Sequence, residues 1–262
     1  MCNLTGINFG ERMLTANLVA GRDVIEVGAL DVNGSLRGHV QSLGPARYLG
    51  VDIEMGPGVD ELIDAGELVA HYGAESFDVV VTTEMLEHIR NWPTIVSNLK
   101  RVLRPGGHLL VTTRSPGFPY HAYPYDFWRY TPDDMRTIFA DMEVQTVETD
   151  SASPGVFMFA RRPDVFAERT RAIELVSIIT GRRQRSITNW QIRLFKLRRA
   201  VSSFSVSIPL PKIRLQLRPN LGRPRRMWRR TKAGAIRLRN ATWRILPMPA
   251  RTAIKRYVLR RA

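Results

Sequence analysis

The stretch that most constrains this chain is residues 24–35. Val24, Ile25, Glu26 and Val27 form a short, mostly apolar run; Gly28 follows, then a polar turn with Asp31, Asn33 and Gly34, and residues 35–43 can continue as a helix. Such a run reads as a strand buried on both faces, which belongs in a parallel sheet covered by helices. Strand, glycine-bearing turn and helix make the first half of a βαβ unit. Glycine lets the backbone approach a ligand closely, and N–H groups at the helix start favour polar or negative ligand atoms. The usual dinucleotide pattern is absent, because Leu30 and Asp31 stand where further glycines would fall. That argues against a tightly cradled pyrophosphate. Glu26, inside the strand, suits a cationic or hydroxyl-rich ligand better. Asp52 ends the next apolar run, 21 residues after Asp31, and a carboxylate about 20 residues on commonly holds a ribose diol.

The rest of the first 162 residues repeats the alternation. Residues 4–18 carry Ile7, Phe9, Met13, Leu14 and Leu18 at the spacing of a short amphipathic helix. Strands are expected at 47–52 and 61–63, with a short helix or loop at 66–74 and the most β-prone run at 79–83. Pro93 suits the first turn of a helix over 92–102, whose Ile95, Leu99 and Val102 share a face. Arg104, Pro105, Gly106 and Gly107 read as its terminator, without chemistry, and 108–113 as another buried strand. After a long loop, Thr131 can cap a helix that has Pro132 in its first turn and Asp133 and Asp134 at its positive end. Residues 142–148 and 156–161 read as a closing antiparallel hairpin. The whole predicts an α/β fold with a doubly wound, mostly parallel sheet.

A chain of 262 residues holds one ordinary domain plus an extension. The single cysteine, Cys2, excludes an internal disulfide and a cysteine-based metal site. No run approaches the ~20 apolar residues of a membrane span, and the first 20 residues lack a secretory pattern, so a cytoplasmic protein is the expectation. Charge divides the chain: residues 161–262 carry 28 Lys and Arg against three Asp and Glu, leaving 11 basic against 21 acidic residues in 1–160. The expected boundary is therefore a domain over 1–162 and a basic extension over 163–262.

Glu26-Val27-Gly28, Val51-Asp52, Phe77-Asp78-Val79-Val80, Met85-Leu86-Glu87-His88 and Arg101-Val102-Leu103-Arg104-Pro105-Gly106-Gly107 stand in an order that resembles the class I S-adenosylmethionine-dependent methyltransferases, in particular the type 11 group. The resemblance spans about residues 20–162 and is carried by the set, since each motif alone is weak. It implies a Rossmann-like fold and S-adenosylmethionine as cofactor. Glu26 and the turn of Gly28, Asp31 and Gly34 would lie near its methionine part and ribose. Asp52 would hold the ribose hydroxyls, Ile53 would lie against the adenine, Asp64 and Ala65 would reach its amino edge, and Glu84 would border the sulfonium. Leu30 breaks the family's G-x-G, and residues 31–34 look like a variant of that turn.

Methyl transfer from a sulfonium is an in-line displacement that needs the acceptor in near-attack geometry and, for a hydroxyl or amine, a base. The loop after the fifth strand concentrates Tyr120, His121, Tyr123, Asp126, Trp128 and Arg129. It reads as an acceptor wall, with His121 the first candidate base and His88 the second; the competing reading is a loop that buries its aromatics and pairs Asp126 with Arg129. Asp78 reads as structural, and Glu87 as solvated or as support for a neighbour. No metal-ligand cluster is visible. The expected activity is O-methylation of a small-molecule, glycan or lipid-linked acceptor. The alternatives are an RNA methyltransferase using the basic tail as substrate arm, and a non-catalytic basic binding protein with a vestigial cofactor fold. In the extension, residues 164–180 and 187–201 are helix candidates, and residues 223–232 and 251–261 are dense cationic runs. Three readings stand for it: a peripheral contact with an anionic membrane surface, a contact with RNA, or a solvated extension docked on the acidic domain.

Overall fold

The computed structural model describes residues 4–121, 126–169 and 173–205, the side chains of 201–205 excepted. Tyr123 and the cationic runs at 223–232 and 251–261 lie outside the described residues.

The elements in chain order are α1 (Leu4–Met13), α2 (Ala16–Val19), β1 (Asp23–Val27), α3 (Arg37–Ser42), β2 (Arg47–Asp52), β3 (Glu61–Leu62), α4 (Leu68–Tyr72), β4 (Phe77–Thr83), α5 (Trp92–Arg101), β5 (Leu103–Arg114), β6 (Trp128–Arg129), α6 (Pro132–Ile138), β7 (Glu143–Thr149), β8 (Gly155–Arg161), β9 (Leu175–Ser177), β10 (Arg182–Gln184) and α7 (Asn189–Ser205). Seven strands form one sheet in the order β3-β2-β1-β4-β5-β8-β7. The pairs from β3 to β5 are parallel, and β8 joins β5 and β7 antiparallel as the closing hairpin. The fold is a Rossmann-like, doubly wound α/β sheet, with its strand order reversing between β1 and β4. Ligands of such sheets bind outside the carboxyl ends of the strands at that reversal.

Each central strand feeds two cores, because successive residues point to opposite faces. Ile25, Val27, Val80, Leu109 and Val111 pack with Ile95, Val96 and Leu99 of α5. Val24, Val79, Val81 and Leu110 pack on the other face with Phe9, Leu14, Leu36 and Val40. This two-sided burial is why the strands read as continuous apolar runs rather than alternating ones. At α6 the expected cap is a full capping box: Asp134 N donates to Thr131 Oγ1 and Thr131 N to the Asp134 carboxylate.

Two expectations change. Arg104, Pro105, Gly106 and Gly107 lie inside β5 as an irregularity: Leu103 pairs with Phe77, and regular pairing resumes at His108 with Val79. Gly106 takes φ +76° there, and Arg104 ion-pairs with Asp23 and Asp78 at 2.9 and 2.6 Å. The described residues of 164–180 form no helix. Leu175 and Ser177 are buried with the period of a strand, and β9 pairs with β6 and β10 in a small antiparallel sheet. Apolar spacing alone fits either choice; the edge offered by Trp128 and Arg129 decides it. The described structure therefore continues past residue 162, where the charge distribution suggested a boundary. No helix among the described residues is long and apolar enough to cross a membrane.

Candidate functional site

A cavity of about 320 Å³ opens at the carboxyl ends of β1, β2 and β4. Its first wall is built largely from backbone. Gly28 turns the chain with φ +79°, where a side chain would be strained, and a Cβ there would stand 2.9 Å from Met85 Cβ. Gly28 N and Ala29 N both donate to Val51 O, pinning the turn to β2. Asp52 accepts from Leu30 N at 3.1 Å and Glu54 N at 3.2 Å. Each oxygen keeps lone-pair capacity for a ligand, since a carboxylate offers about four acceptor positions. Asp64 caps the following turn by accepting from Gly66 N at 2.7 Å. Gly28, Asp52, Ile53, Asp64, Ala65 and Glu84 all line the cavity. Ile53 is 65% exposed and Val32 54%, so two large apolar side chains stand open at the cavity wall, a surface suited to a flat apolar partner.

Glu26, Asp31 and Gly34 are placed outside this lining. Asp31 accepts from Gly34 N at 2.7 Å and shapes the turn itself. Glu26 is buried behind it, accepting from the Tyr48 hydroxyl and lying 3.5 Å from Ser35 Oγ. Burial pushes the Glu26 carboxyl up to about 7, against the smaller opposing effects of Tyr48, Arg37 and Ser35.

The second wall carries buried charge. Glu84 holds φ +54°, rare for a residue with a side chain, and is 4% exposed. It pairs with Arg114, whose guanidinium lies 4.1 Å over the Phe118 ring. Burial and the neighbouring Glu87 carboxylate outweigh Arg114 and raise the Glu84 carboxyl to about 8. Thr113 Oγ1 donates to Glu87 Oε2 at 2.8 Å, and Glu87 is fully buried rather than solvated. His88 and His121 both line the cavity, with their Nε2 atoms 3.1 Å apart. His121 Nδ1 lies 3.0 Å from Asp126 Oδ2. Burial alone would raise the Asp126 carboxyl; the Arg129 guanidinium and His121 hold it below the usual carboxylate range.

The acceptor-wall expectation divides. Asp126, Trp128 and Arg129 are buried away from the cavity. Asp126 and Arg129 form a two-pronged pair, and Trp128 Nε1 donates to Arg90 O at 3.2 Å. Phe127, Trp128 and Tyr130 sit in the main core, so the end of this loop is structural. Tyr120 packs against Phe195 of α7, ring centroids 4.9 Å apart. Of the described candidates on this loop, His121 is the one that reaches the cavity.

A family model described as "Methyltransferase domain" matches residues 10–148, just over half of the chain. The chain belongs to this methyltransferase family. It is 28% identical over 136 residues to the phthiotriol/phenolphthiotriol dimycocerosates methyltransferase of Mycobacterium leprae, covering 48% of this chain and 50% of that one. It is 30% identical over 108 residues to the ubiquinone biosynthesis O-methyltransferase of Ralstonia nicotianae, covering 36% and 44%. The chain thus spans about half the length of the curated relatives it matches. Among solved structures, the 1,6-didemethyltoxoflavin-N1-methyltransferase of Burkholderia thailandensis, bound to 1,6-didemethyltoxoflavin and S-adenosylhomocysteine, is similar with 17% identity and a TM-score of 0.49, over 61% of this chain and 79% of that one.

Within this methyltransferase domain the sequence did not reveal what replaces the missing glycines. Residues 56–60, read as plain loop, buttress the turn from outside. Asp31 N donates to Pro57 O at 2.8 Å, and Arg37 donates to Gly58 O while pairing with Asp60 at 2.9 Å. A Cβ on Gly58 would stand 2.4 Å from Ala29 O, and one on Gly56 2.4 Å from Leu30 Cδ1. Two glycines flanking Pro57, followed by an acid at residue 60, were the available signal.

Proposed function

We propose that this chain transfers a methyl group from S-adenosylmethionine to an oxygen of a small-molecule, glycan or lipid-linked acceptor. The observation that carries this reading is the 320 Å³ cavity at the strand-order reversal, lined by Asp52 and Asp64 and by Glu84, His88 and His121. In this reading Asp52 holds the ribose diol, Ile53 faces the adenine, and the sulfonium lies toward Glu84. A cation there favours the charged form of a carboxyl that burial has raised, so binding and ionisation of Glu84 reinforce each other. The acceptor oxygen then meets the methyl group beside the two imidazoles. A second cavity of about 720 Å³ shares Asp64, His88 and Ile89 with the first and is lined further by Arg90, Phe127, Ile192, Arg193 and Lys196. It is the proposed acceptor chamber. An oxygen acceptor agrees with the relatives named for O-methylation and with a site rich in groups that can manage a hydroxyl proton.

Calorimetric titration of the full chain with S-adenosylhomocysteine tests the cofactor assignment. Binding is expected, weakened at least tenfold in Asp52→Ala with the fold retained by circular dichroism. A chain that takes up no S-adenosylhomocysteine would overturn the reading.

A further inference from the structure

Glu87, His88 and His121 converge at the end of the cavity where the acceptor is placed, and their ligand atoms lie within 4.8 Å of one another. Glu87 Oε1 lies 4.0 Å from His88 Nε2 and 3.9 Å from His121 Nε2, and the two nitrogens are 3.1 Å apart. A point equidistant from all three falls at ordinary zinc–nitrogen and zinc–oxygen bond length, roughly 2.0–2.2 Å. We propose that these three side chains hold one divalent transition-metal ion of the zinc type, and that the ion receives the acceptor oxygen. The role given to the ion rests on the methyl-transfer reading above; the ion site itself rests on the following geometry.

Glu87 is fully buried, and its Oε1 has no hydrogen-bond partner among the described residues. Its other oxygen is fixed by Thr113 at 2.8 Å, which aims Oε1 at the imidazoles. Asp126 stands behind His121 Nδ1 at 3.0 Å. With the ring proton on that side, His121 presents the lone pair of Nε2 to the same gap. Two electron-pair donors facing one gap in a desolvated place repel unless a cation sits between them. A proton from His88 can satisfy His121 at 3.1 Å and leaves Glu87 Oε1 unmatched; a metal ion satisfies all three atoms. Two imidazoles and one carboxylate are the donor set of catalytic zinc sites that keep an open position. His88 and His121 border the cavity with 14% of each side chain exposed, so the open position faces the substrate space. A carboxylate behind His121 and a hydroxyl behind Glu87 are the outer contacts that orient metal ligands.

The chemistry involves no oxidant or reductant. The acceptor hydroxyl coordinates the ion, which lowers its pKa, and its proton leaves to water. An oxygen lone pair forms the bond to the methyl carbon as the carbon–sulfur bond breaks, and that electron pair stays on sulfur. His121, the base suggested by sequence, thereby acts as a ligand.

The test uses the full-length, untagged chain, stripped with a chelator and titrated with Zn²⁺ by calorimetry and with Co²⁺ by visible absorption. One ion per chain is expected. Glu87→Gln is expected to lower affinity at least tenfold and Asp126→Asn by about 10- to 100-fold, while His71→Asn, on the exposed side of α4, binds as the parent does. His121→Gln serves as the second ligand variant if Glu87→Gln does not fold. Failure to take up either ion, or unchanged affinity in the folded ligand variant, overturns the proposal. S-adenosylhomocysteine titration of the stripped chain separates the two readings: nucleoside binding without ion binding sinks the metal site alone, and loss of both sinks the methyl-transfer reading with it.

Discussion

The two walls of the cavity are made of different material. The β1–β2 wall is a backbone surface, with Gly28 and Ala29 donating to Val51 O and Asp52 accepting from Leu30 N and Glu54 N. The β4–β5 wall is made of side chains backed by buried charge: Glu84, His88 and His121 line it, and Glu87, Arg114, Asp126 and Arg129 stand buried behind them. Backbone groups keep their partners through most substitutions. A buried charge depends on one particular neighbour, and removing that neighbour leaves a desolvated ion. The comparison teaches that the first wall is tolerant away from its glycines, while the second is specified residue by residue.

The contrast is broken most directly at the Asp126–Arg129 pair. Asp126→Ala leaves the Arg129 guanidinium buried beside Phe118 with its main partner gone, and a loss of about 3–5 kcal/mol in unfolding free energy is expected by urea titration. A loss under about 1 kcal/mol would show that the second wall does not depend on its ion pairs.

Glu26 sharpens the comparison because it is a buried acid beneath the backbone wall, with Tyr48 rather than a guanidinium as its hydrogen-bond partner. Its carboxyl is raised from 4.5 to about 7 in the folded chain. The folded state therefore holds this proton more tightly than the unfolded state. The associated stability is fully present below about pH 4.5 and is lost as pH rises through about 7. At one pKa unit per 1.36 kcal/mol the loss is on the order of 3 kcal/mol. Glu26→Gln removes this titration, so its stability relative to the parent should improve between pH 5 and pH 8. Parallel pH profiles for the two proteins would show that Glu26 does not titrate in that window. Asp126, held below the usual range, contributes nothing to that window.

The smallest expected effect is at Arg37. It pairs with Asp60 near the surface and donates to Gly58 O. Partly exposed pairs of this kind contribute about 0.2–1 kcal/mol, so Arg37→Met should move the melting temperature little. It should nevertheless weaken S-adenosylhomocysteine binding severalfold, because the buttress of the turn loosens. A melting change without an affinity change would mean that residues 56–60 do not shape the first wall.

These cases show why the sheet was readable and much of the acceptor side was not. Strands such as 24–27 and 79–83 announce themselves through local, periodic burial, and Thr131 with Asp134 announces a helix start through contacts three residues apart. Gly28, Asp52, Asp64 and Glu84 each sit at or just past the end of a strand that was legible, which puts them at the cavity. Glu87 and His121 are different. Their meaning depends on a meeting between segments more than 30 residues apart, and nothing local marks Glu87 as buried. The aromatic loop misled for the same reason, since Trp128 and Arg129 look like surface recognition groups until β9 is seen to cover them.

By itself the sequence determined the alternation of strands and helices, the parallel sheet with its closing hairpin, and the carboxylates placed at strand ends, because all of these are set by side-chain periodicity and turn chemistry within a few residues. Tertiary structure alone decided which polar groups lost their water. It turned Glu26 inward, made Asp126 and Arg129 a core pair, brought Glu87 and two histidines to one gap, and chose a strand for residues 175–177. Burial and pairing are properties of distant neighbours, and no local pattern encodes them.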